Sequence, residues 1–384
     1  MKRAIILTLV SVLILSSVTP IISLASEKGE IKWEEIVMNQ TKALDDADNF
    51  EAAIEDDSLY MDSYAGSYIA DDGTLVVCYV DRLDEIQKTY NFSNAEFRKV
   101  EHSLRLLEST YEEFKTIMGK YGIQSVGLNH RDNGVNVTLT HRDGLDEIKK
   151  LFDCRAVIFH DANPDIIPTL TESIYNGNPA GTSSGTKSFT VGCKATSLST
   201  GKTGFLIPGH VNAQSGTTVF YNGANAQCGW VRQSKFGGSV DATFVEANNT
   251  TTPTMQFMNG DTYLGLSVQI HPNPNAGYGL RVGLYVDMYG WKSGKSRGRV
   301  TDVSYNDTVS GVSLSDMVKC DYVAIPGDSG GGVVFDRYNG SASTIKCVMG
   351  LQSFSGLSSG QWVTGSYSVF SRIDYICADL GLTG

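Results

Sequence analysis

The chain has 384 residues, more than one typical domain holds and enough for two. Residues 174–384 carry 14 Lys+Arg against 12 Asp+Glu, whereas residues 1–173 carry 17 against 30. An acidic front half and a near-neutral back half exclude nucleic acid as a partner. Seven cysteines without a C-x-x-C pair exclude a zinc framework, and 40 glycines suit an all-β part with many turns.

Met1-Lys2-Arg3 leads into an almost wholly apolar run, Ala4–Val18, and then Ser23-Leu24-Ala25. This pattern predicts a secretory signal peptide, residues 1–25, cut after Ala25, and so a secreted protein. An uncleaved anchor helix is the competing reading. The run is short for a span and ends at Pro20. No other stretch could cross a membrane.

Residues 26–173 read as a smaller α/β domain. Tyr64–Val80 alternates around Asp71-Asp72-Gly73 and predicts a hairpin. Ser93 with Glu96 predicts a capped helix, its apolar side formed by Phe97, Val100, Leu104, Leu107, Tyr111, Phe114 and Met118. A second hairpin turns at Asp132-Asn133-Gly134. A short helix, Leu145–Phe152, then leads to a strand, Ala156–Phe159. His130 and His141 flank the second hairpin as exposed loop histidines with no ligand-spaced partner. Asp161–Asp165 and Pro168-Thr169-Leu170 are turn formers and mark a linker.

From Ser188 onward the pattern is short strands separated by glycines, which predicts barrels or a sandwich. The runs are Ser188–Thr196, Thr203–Ile207, Thr217–Tyr221, Cys228–Gln233 and Ala242–Glu246. A second set follows at Gly283–Gly290, Gly298–Tyr305, Met317–Val323, Gly331–Phe335, Thr344–Phe354 and Gly365–Val369. Ser368–Leu380 predicts a closing amphipathic helix with Gly381 as its cap. His271 lies in a rigid His-Pro-Asn-Pro turn and reads as a surface residue.

Chemistry concentrates in Pro326-Gly327-Asp328-Ser329-Gly330-Gly331. A serine hydroxyl needs a base to become a nucleophile. Flanking glycines leave it uncovered and let backbone N–H groups converge on a developing oxyanion. A candidate base, His210, follows the apolar run Gly204–Gly209. A candidate acid, Asp241, heads the run Asp241–Val245. The order His210, Asp241, Ser329 differs from that of subtilisins and α/β-hydrolases.

These three motifs, in this order, resemble bacterial chymotrypsin-like serine proteases of the streptogrisin and α-lytic protease kind, from about Ile174 to the C-terminus. The resemblance implies two six-stranded antiparallel β-barrels with a C-terminal helix. It implies Ser329 as nucleophile, His210 as general base and acid, and Asp241 as its orienting carboxylate. The N–H groups of Gly327 and Ser329 would form the oxyanion hole, with Asp328 anchoring the loop. Ser353 would bond Asp241, and Phe354 and Ser355 would run along a bound peptide. The specificity pocket would be walled by Tyr322, Val323, Ala324 and Phe354 for an apolar side chain, or would present Asp321 to a basic one. No metal or cofactor is required. The expected partners are a polypeptide substrate and the chain's own pro-domain, residues 26–173, acting on a monomer as folding chaperone and inhibitor. Its removal would fall near Ser173–Ile174, within several residues, leaving residues 174–384.

Three departures stand out. Val211 and Phe189 occupy positions where many relatives bridge two cysteines, and Pro208 replaces an alanine before Gly-His. Cys320 with Cys347 is the expected disulfide. Two other functions use the same residues: a triad esterase, and a catalytically silent binding or adhesion protein.

Overall fold

The computed structural model describes residues 32–54, 61–89, 95–161, 166–168, 179–182, 185–221, 226–249, 253, 280–338, 344–357, 362–363 and 365–383. The expected signal peptide, the bond Ser173–Ile174 and His271 lie outside these residues.

The N-terminal domain repeats one plan twice: helix, hairpin, helix, strand. The first unit opens with the helix Trp33–Ile54. Val37, Gln40, Leu44, Ala47, Phe50 and Ile54 are buried on one side at spacings of three and four, and Glu34 and Glu35 sit at its positive end. The hairpin Tyr64–Ile69 and Leu75–Tyr79 follows, then the helix Leu83–Thr89 and the strand Ala95–Lys99, parallel to Leu75–Tyr79. The second unit is Leu104–Thr116, the hairpin Ile123–Asn129 and Gly134–Leu139, Leu145–Leu151, and Val157–Asp161, parallel to Gly134–Leu139.

One expected element changes type here. Ala95–Lys99 is a strand, and the helix begins only at Leu104 with Ser103 as its cap, accepting from the Leu106 N–H. The spacing of Phe97, Val100 and Leu104 fits a helix by coincidence. The open edge of Leu75–Tyr79 claims the segment instead, a tertiary partner that outweighs local pattern.

Two β-barrels make up the rest, so the expected fold class holds. In the first barrel the strands run in the order Lys194–Ser197, Thr203–Ile207, Val240–Ala247, Ala226–Gly237, Thr218–Tyr221, Pro179–Thr182 and Gly185–Thr190. Only Val191–Cys193 separate Thr190 from Lys194, so one bent strand lies at both ends of the sheet and closes six strands into a barrel. The second barrel is a ring of six: Tyr285–Gly290, Gly332–Tyr338, Thr344–Gly356, Tyr367–Arg372, Val312–Cys320 and Gly294–Val309, which returns to pair with Tyr285–Gly290. Inward residues such as Val286, Met288, Val300, Val318 and Val333 fill it.

The closing helix runs Ile373–Leu380, and the preceding Tyr367–Arg372 is a barrel strand, shortening the expected helix. Pairing with both Val312–Cys320 and Thr344–Gly356 holds that segment extended. Ile373, Ile376 and Leu380 pack on Leu206, Val240 and Phe244 of the first barrel. Gly381, at φ 56°, supplies the left-handed cap. Leu382–Thr383 then pairs with Lys194–Ser197, so the chain end ties the barrels together.

The N-terminal domain is continuous with the second barrel. Val126 pairs with Asn306, extending the barrel's sheet through the second hairpin to Val157–Asp161. Leu44, Ala47, Phe50 and Tyr79 share a hydrophobic cluster with Leu284, Val286, Met288 and Tyr322. The Ile69 N–H donates to Val282 O at 2.8 Å. A Cβ at Gly283 would meet Ile69 O at 1.7 Å, so only glycine permits this approach. Arg281 pairs with Asp48 at 3.3 Å and Glu51 at 3.1 Å across the same junction.

Two further expectations are corrected. His130 is not an exposed loop residue: its Nδ1 lies 3.3 Å from Ser67 O, its ring packs over Gly66, and its Nε2 is buried without a hydrogen-bond partner among the described residues. His141 is exposed, as expected. No disulfide joins any of the seven cysteines, and Cys320 and Cys347 are not bridged to each other. Their strands are second neighbours, with Tyr367–Arg372 between them. Two strand spacings, roughly 9.5 Å, exceed the Cα separation a disulfide spans.

Candidate active site

The site lies where the two barrels meet. The first barrel contributes His210 and Asp241. Thr203–Ile207 runs into Pro208 and a single 3₁₀ turn, Gly209–Val211, ending at Asn212 in the left-handed region with φ 51°. The turn lifts His210 out of the sheet and above the start of Val240–Ala247, which pairs with Thr203–Ile207. There Asp241 Oδ2 lies 2.7 Å from His210 Nδ1, and Asp241 Oδ1 accepts the His210 backbone N–H at 2.8 Å. The Phe236 ring stands edge-on to the imidazole, centroids 5.8 Å apart.

Asp241 is fully buried. Burial alone pushes its carboxyl up, but His210 and the hydroxyl of Ser353 outweigh this and hold it below the ordinary carboxylate range. Ser353 Oγ donates to Asp241 Oδ2, while Ser371 Oγ accepts the Asp241 N–H at 3.1 Å. A carboxylate on Nδ1 keeps the ring proton there and leaves Nε2 as the basic nitrogen. His210 Nε2 is buried and has no hydrogen-bond partner among the described residues.

The second barrel contributes Ser329, on the turn between Val312–Cys320 and Gly332–Tyr338. Its Oγ donates to Ser353 O at 3.0 Å. Ser353 thus touches both halves of the site, the carboxylate through its hydroxyl and the serine through its carbonyl. The Ser329 hydroxyl is directed to that carbonyl and not to His210, a looseness common before a substrate is bound.

Glycine is required on this turn. A Cβ at Gly330, φ 87°, would meet Thr190 O at 2.2 Å and Pro208 Cδ at 2.6 Å. The unusual Pro208 therefore packs directly against the nucleophile's turn. Gly327 has φ 106°, open to glycine and strained for other residues.

Asp328 anchors the loop. It is fully buried and accepts from Lys292 N at 2.7 Å, Ser293 N at 3.0 Å, Ser293 Oγ at 2.5 Å and Ile325 N at 2.9 Å. Burial still raises its carboxyl above the usual range.

The pocket residues separate. Asp321 turns outward to the Arg299 backbone N–H and guanidinium. Val323 is exposed, whereas Tyr322 and Ala324 are buried in the barrel cluster. Phe354 packs its ring against Tyr305, Met317 and Val369. Its backbone, with that of Ser355 and Gly356, instead pairs antiparallel with Ile166–Pro168.

Behind Ser329 runs a neutral, fully buried network. Tyr322 Oη donates to Gln352 Oε1 at 2.6 Å, and Gln352 Nε2 donates to Phe354 O at 2.8 Å and Ser355 Oγ at 3.3 Å. Ser368 Oγ donates to Tyr322 O at 2.9 Å and lies 3.3 Å from Ser355 Oγ. Ser371 and Thr190 have no counterpart among the residues the sequence singles out. Thr190 Oγ1 donates to Gly327 O at 2.8 Å and accepts from Trp291 N at 3.0 Å, while Thr190 N donates to Ser329 O at 2.8 Å. No local signal marks these residues, because their partners lie 101 to 137 positions away.

No family model and no curated protein matches this chain. Among solved structures it is similar to a Cellulomonas bogoriensis chymotrypsin, 22% identical over 55% of this chain and 97% of that one, with a TM-score of 0.39. It is similar to Thermobifida fusca protease A, also 22% identical over 55% and 97%, with a TM-score of 0.41. An α-lytic protease homolog is 19% identical over 55% and 98%, with a TM-score of 0.39. Over just over half its length, then, the chain is similar to bacterial chymotrypsin-like serine proteases.

Proposed function

We propose that the protein is a secreted serine endopeptidase made as a zymogen. The observation that carries this reading is the clustering of a buried carboxylate, an imidazole oriented by it, and a serine on a glycine turn, joined through Ser353. Ser329 Oγ attacks a peptide carbonyl and passes its proton to His210 Nε2. Asp241 stabilises the imidazolium, and the Gly327 and Ser329 N–H groups receive the oxyanion. His210 then protonates the leaving amine, and water opens the acyl-enzyme. Ser353 positions Asp241, and the backbone of Phe354–Gly356 binds the peptide as an added strand.

The N-terminal domain serves as folding template and inhibitor. Its shared sheet and shared hydrophobic cluster with the second barrel support this. Barrels pair segments distant in sequence and fold slowly, so a preformed edge lowers the barrier.

The test is labelling by an organophosphorus serine reagent together with casein cleavage. Ser329 should carry the label, and His210→Ala should lose both label and cleavage. Labelling with ester turnover but no casein cleavage would select the esterase, and an unlabelled chain the silent binding protein. For the N-terminal domain, residues 174–384 should refold far more slowly alone than when residues 26–173 are added. Equal rates would remove the template role.

A further inference from the structure

Lys292 stands on the turn after the strand Tyr285–Gly290, beside the proposed oxyanion loop, and its backbone is fixed there. Lys292 N donates to Asp328 Oδ1 at 2.7 Å, Ser293 N to the same oxygen at 3.0 Å, and Trp291 N to Thr190 Oγ1 at 3.0 Å. The side chain is held as well. A Cβ at Gly327 would meet Lys292 Cγ at 2.7 Å, Trp291 Cε3 at 3.3 Å and Lys292 Cε at 3.4 Å, so the lysine stem lies against that glycine. Lys292 Nζ sits 4.1 Å from the centroid of the buried Trp291 ring. The ring face attracts the charge, while the residue as a whole is exposed to water.

That charge is uncommitted. The cations that follow it on the next strand each meet a carboxylate. Lys295 and Arg297 pair with Asp287 at 3.1 and 2.6 Å, and Arg299 with Asp321 at 3.7 Å. Among the described residues Lys292 alone of these four has no carboxylate partner. Asp328, to which the turn is bonded, is fully buried, and its oxygens are filled by Lys292 N, Ser293 N, Ser293 Oγ and Ile325 N.

Thr190 fixes the side of the site on which this cation stands. It belongs to the first barrel and bonds Gly327 O, Trp291 N and Ser329 O. Trp291 and Lys292 therefore stand on the first-barrel flank of the nucleophile's turn. The other flank is Ser353–Gly356, joined to Ser329 Oγ through Ser353 O, and it takes the acyl half of a bound peptide. The half that leaves, its nitrogen protonated by His210, departs past Lys292.

We propose, resting on the endopeptidase reading, that Lys292 selects peptides carrying Asp or Glu within the first two residues of the leaving half. A carboxylate there makes a charge-assisted hydrogen bond to the ammonium. A Lys or Arg at the same place meets like charge. Exposed pairs of this kind are worth up to about fivefold each, so attraction and repulsion together separate an acidic from a basic peptide by about tenfold. The preference shrinks at 1 M salt, where the screening length falls to about 3 Å.

The test is a peptide series with one acyl half and Glu, Gln or Lys at the first or second position after the scissile bond. It is cut by active enzyme prepared from the full-length chain. At one of these positions at least, wild-type kcat/KM should rank Glu over Gln over Lys. Lys292→Met keeps a stem on Gly327 and should bring the three within about twofold, and Lys292→Glu should reverse their order. No ranking in the wild type, or the same ranking in Lys292→Met, would overturn the assignment. An ester with the same acyl half and a neutral alcohol supplies the second measurement. If Lys292→Met slows the ester as much as the Glu peptide, the charge serves the oxyanion and the assignment also falls. A chain that neither takes the serine reagent nor cleaves casein would sink the endopeptidase reading, and this proposal with it.

Discussion

Thr190→Val isolates the tie between the first barrel and the oxyanion loop. Valine matches threonine in shape, and Thr190 is buried, so the change tested is the loss of its hydroxyl. What is lost is a donor to Gly327 O and an acceptor for Trp291 N, both buried. Each stranded group costs ~1–3 kcal/mol, so folding should lose about 2–5 kcal/mol. For a domain of this size that is a fall in Tm on the order of 5–15 °C. Gly327 O and the Gly327 N–H flank the same Cα, so releasing the carbonyl also loosens the residue whose N–H is one of the two proposed oxyanion donors. Complete loss of one such donor costs ~3–4 kcal/mol in other enzymes, so partial misalignment should cost about 1–2 kcal/mol, roughly 5–30-fold in kcat. KM should move little, since the Phe354–Gly356 edge is untouched. Thr190→Ser retains the hydroxyl and should recover most of kcat. Peptide hydrolysis and thermal melts on the processed enzyme read both effects. Wild-type kcat and Tm in Thr190→Val would refute the reasoning.

Asp241→Asn should lower kcat by about 10³–10⁴ with the fold intact, because an amide on His210 Nδ1 stabilises the wrong tautomer. Stopped assays with circular dichroism as control check this. Asp307 is fully buried, bonded to Tyr305 Oη at 2.8 Å and Thr308 N at 2.7 Å, and burial pushes its carboxyl up to about 7. The folded chain then binds its proton more tightly than the unfolded one does. Stability from this group is full below about pH 4, falls as pH rises toward 7, and is flat above, a loss of up to about 4 kcal/mol. Urea midpoints at pH 5 and 8 should therefore differ in the wild type and converge in Asp307→Asn. With no disulfide among the seven cysteines, seven alkylated cysteines are expected in denaturant without reductant. In the native state Cys228 and Cys377, both pushed up to about 12 by burial, should stay unlabelled at pH 8, as thiolate is the reactive form. Five labels by mass spectrometry would indicate a disulfide.

What could be read in advance follows from the range of each interaction. His210, Asp241 and Ser329 were legible because few residue types perform their chemistry and each sits on its own turn or strand start. The hairpins at Asp72-Gly73 and Asn133-Gly134 were legible because left-handed backbone selects its residues locally; Gly73 has φ 85° and Asn133 φ 49°. Ala95–Lys99 and Ser368–Arg372 have spacings that also fit a helix, and only pairing with neighbouring strands decides for the extended form. The helix Trp33–Ile54 carries a usable signal, Val37, Leu44, Ala47, Phe50 and Ile54 at steps of three, four and seven residues. Thr190 and Ser371 carry none. A hydroxyl or amide that holds a catalytic loop is locally indistinguishable from one facing solvent, and its role exists only once two barrels meet. The same holds for Ile166–Pro168. As sequence it is two isoleucines and a proline between turn formers, and only pairing with the Phe354–Gly356 edge makes it a strand. That pairing joins residues 186 to 190 positions apart, which no local pattern encodes.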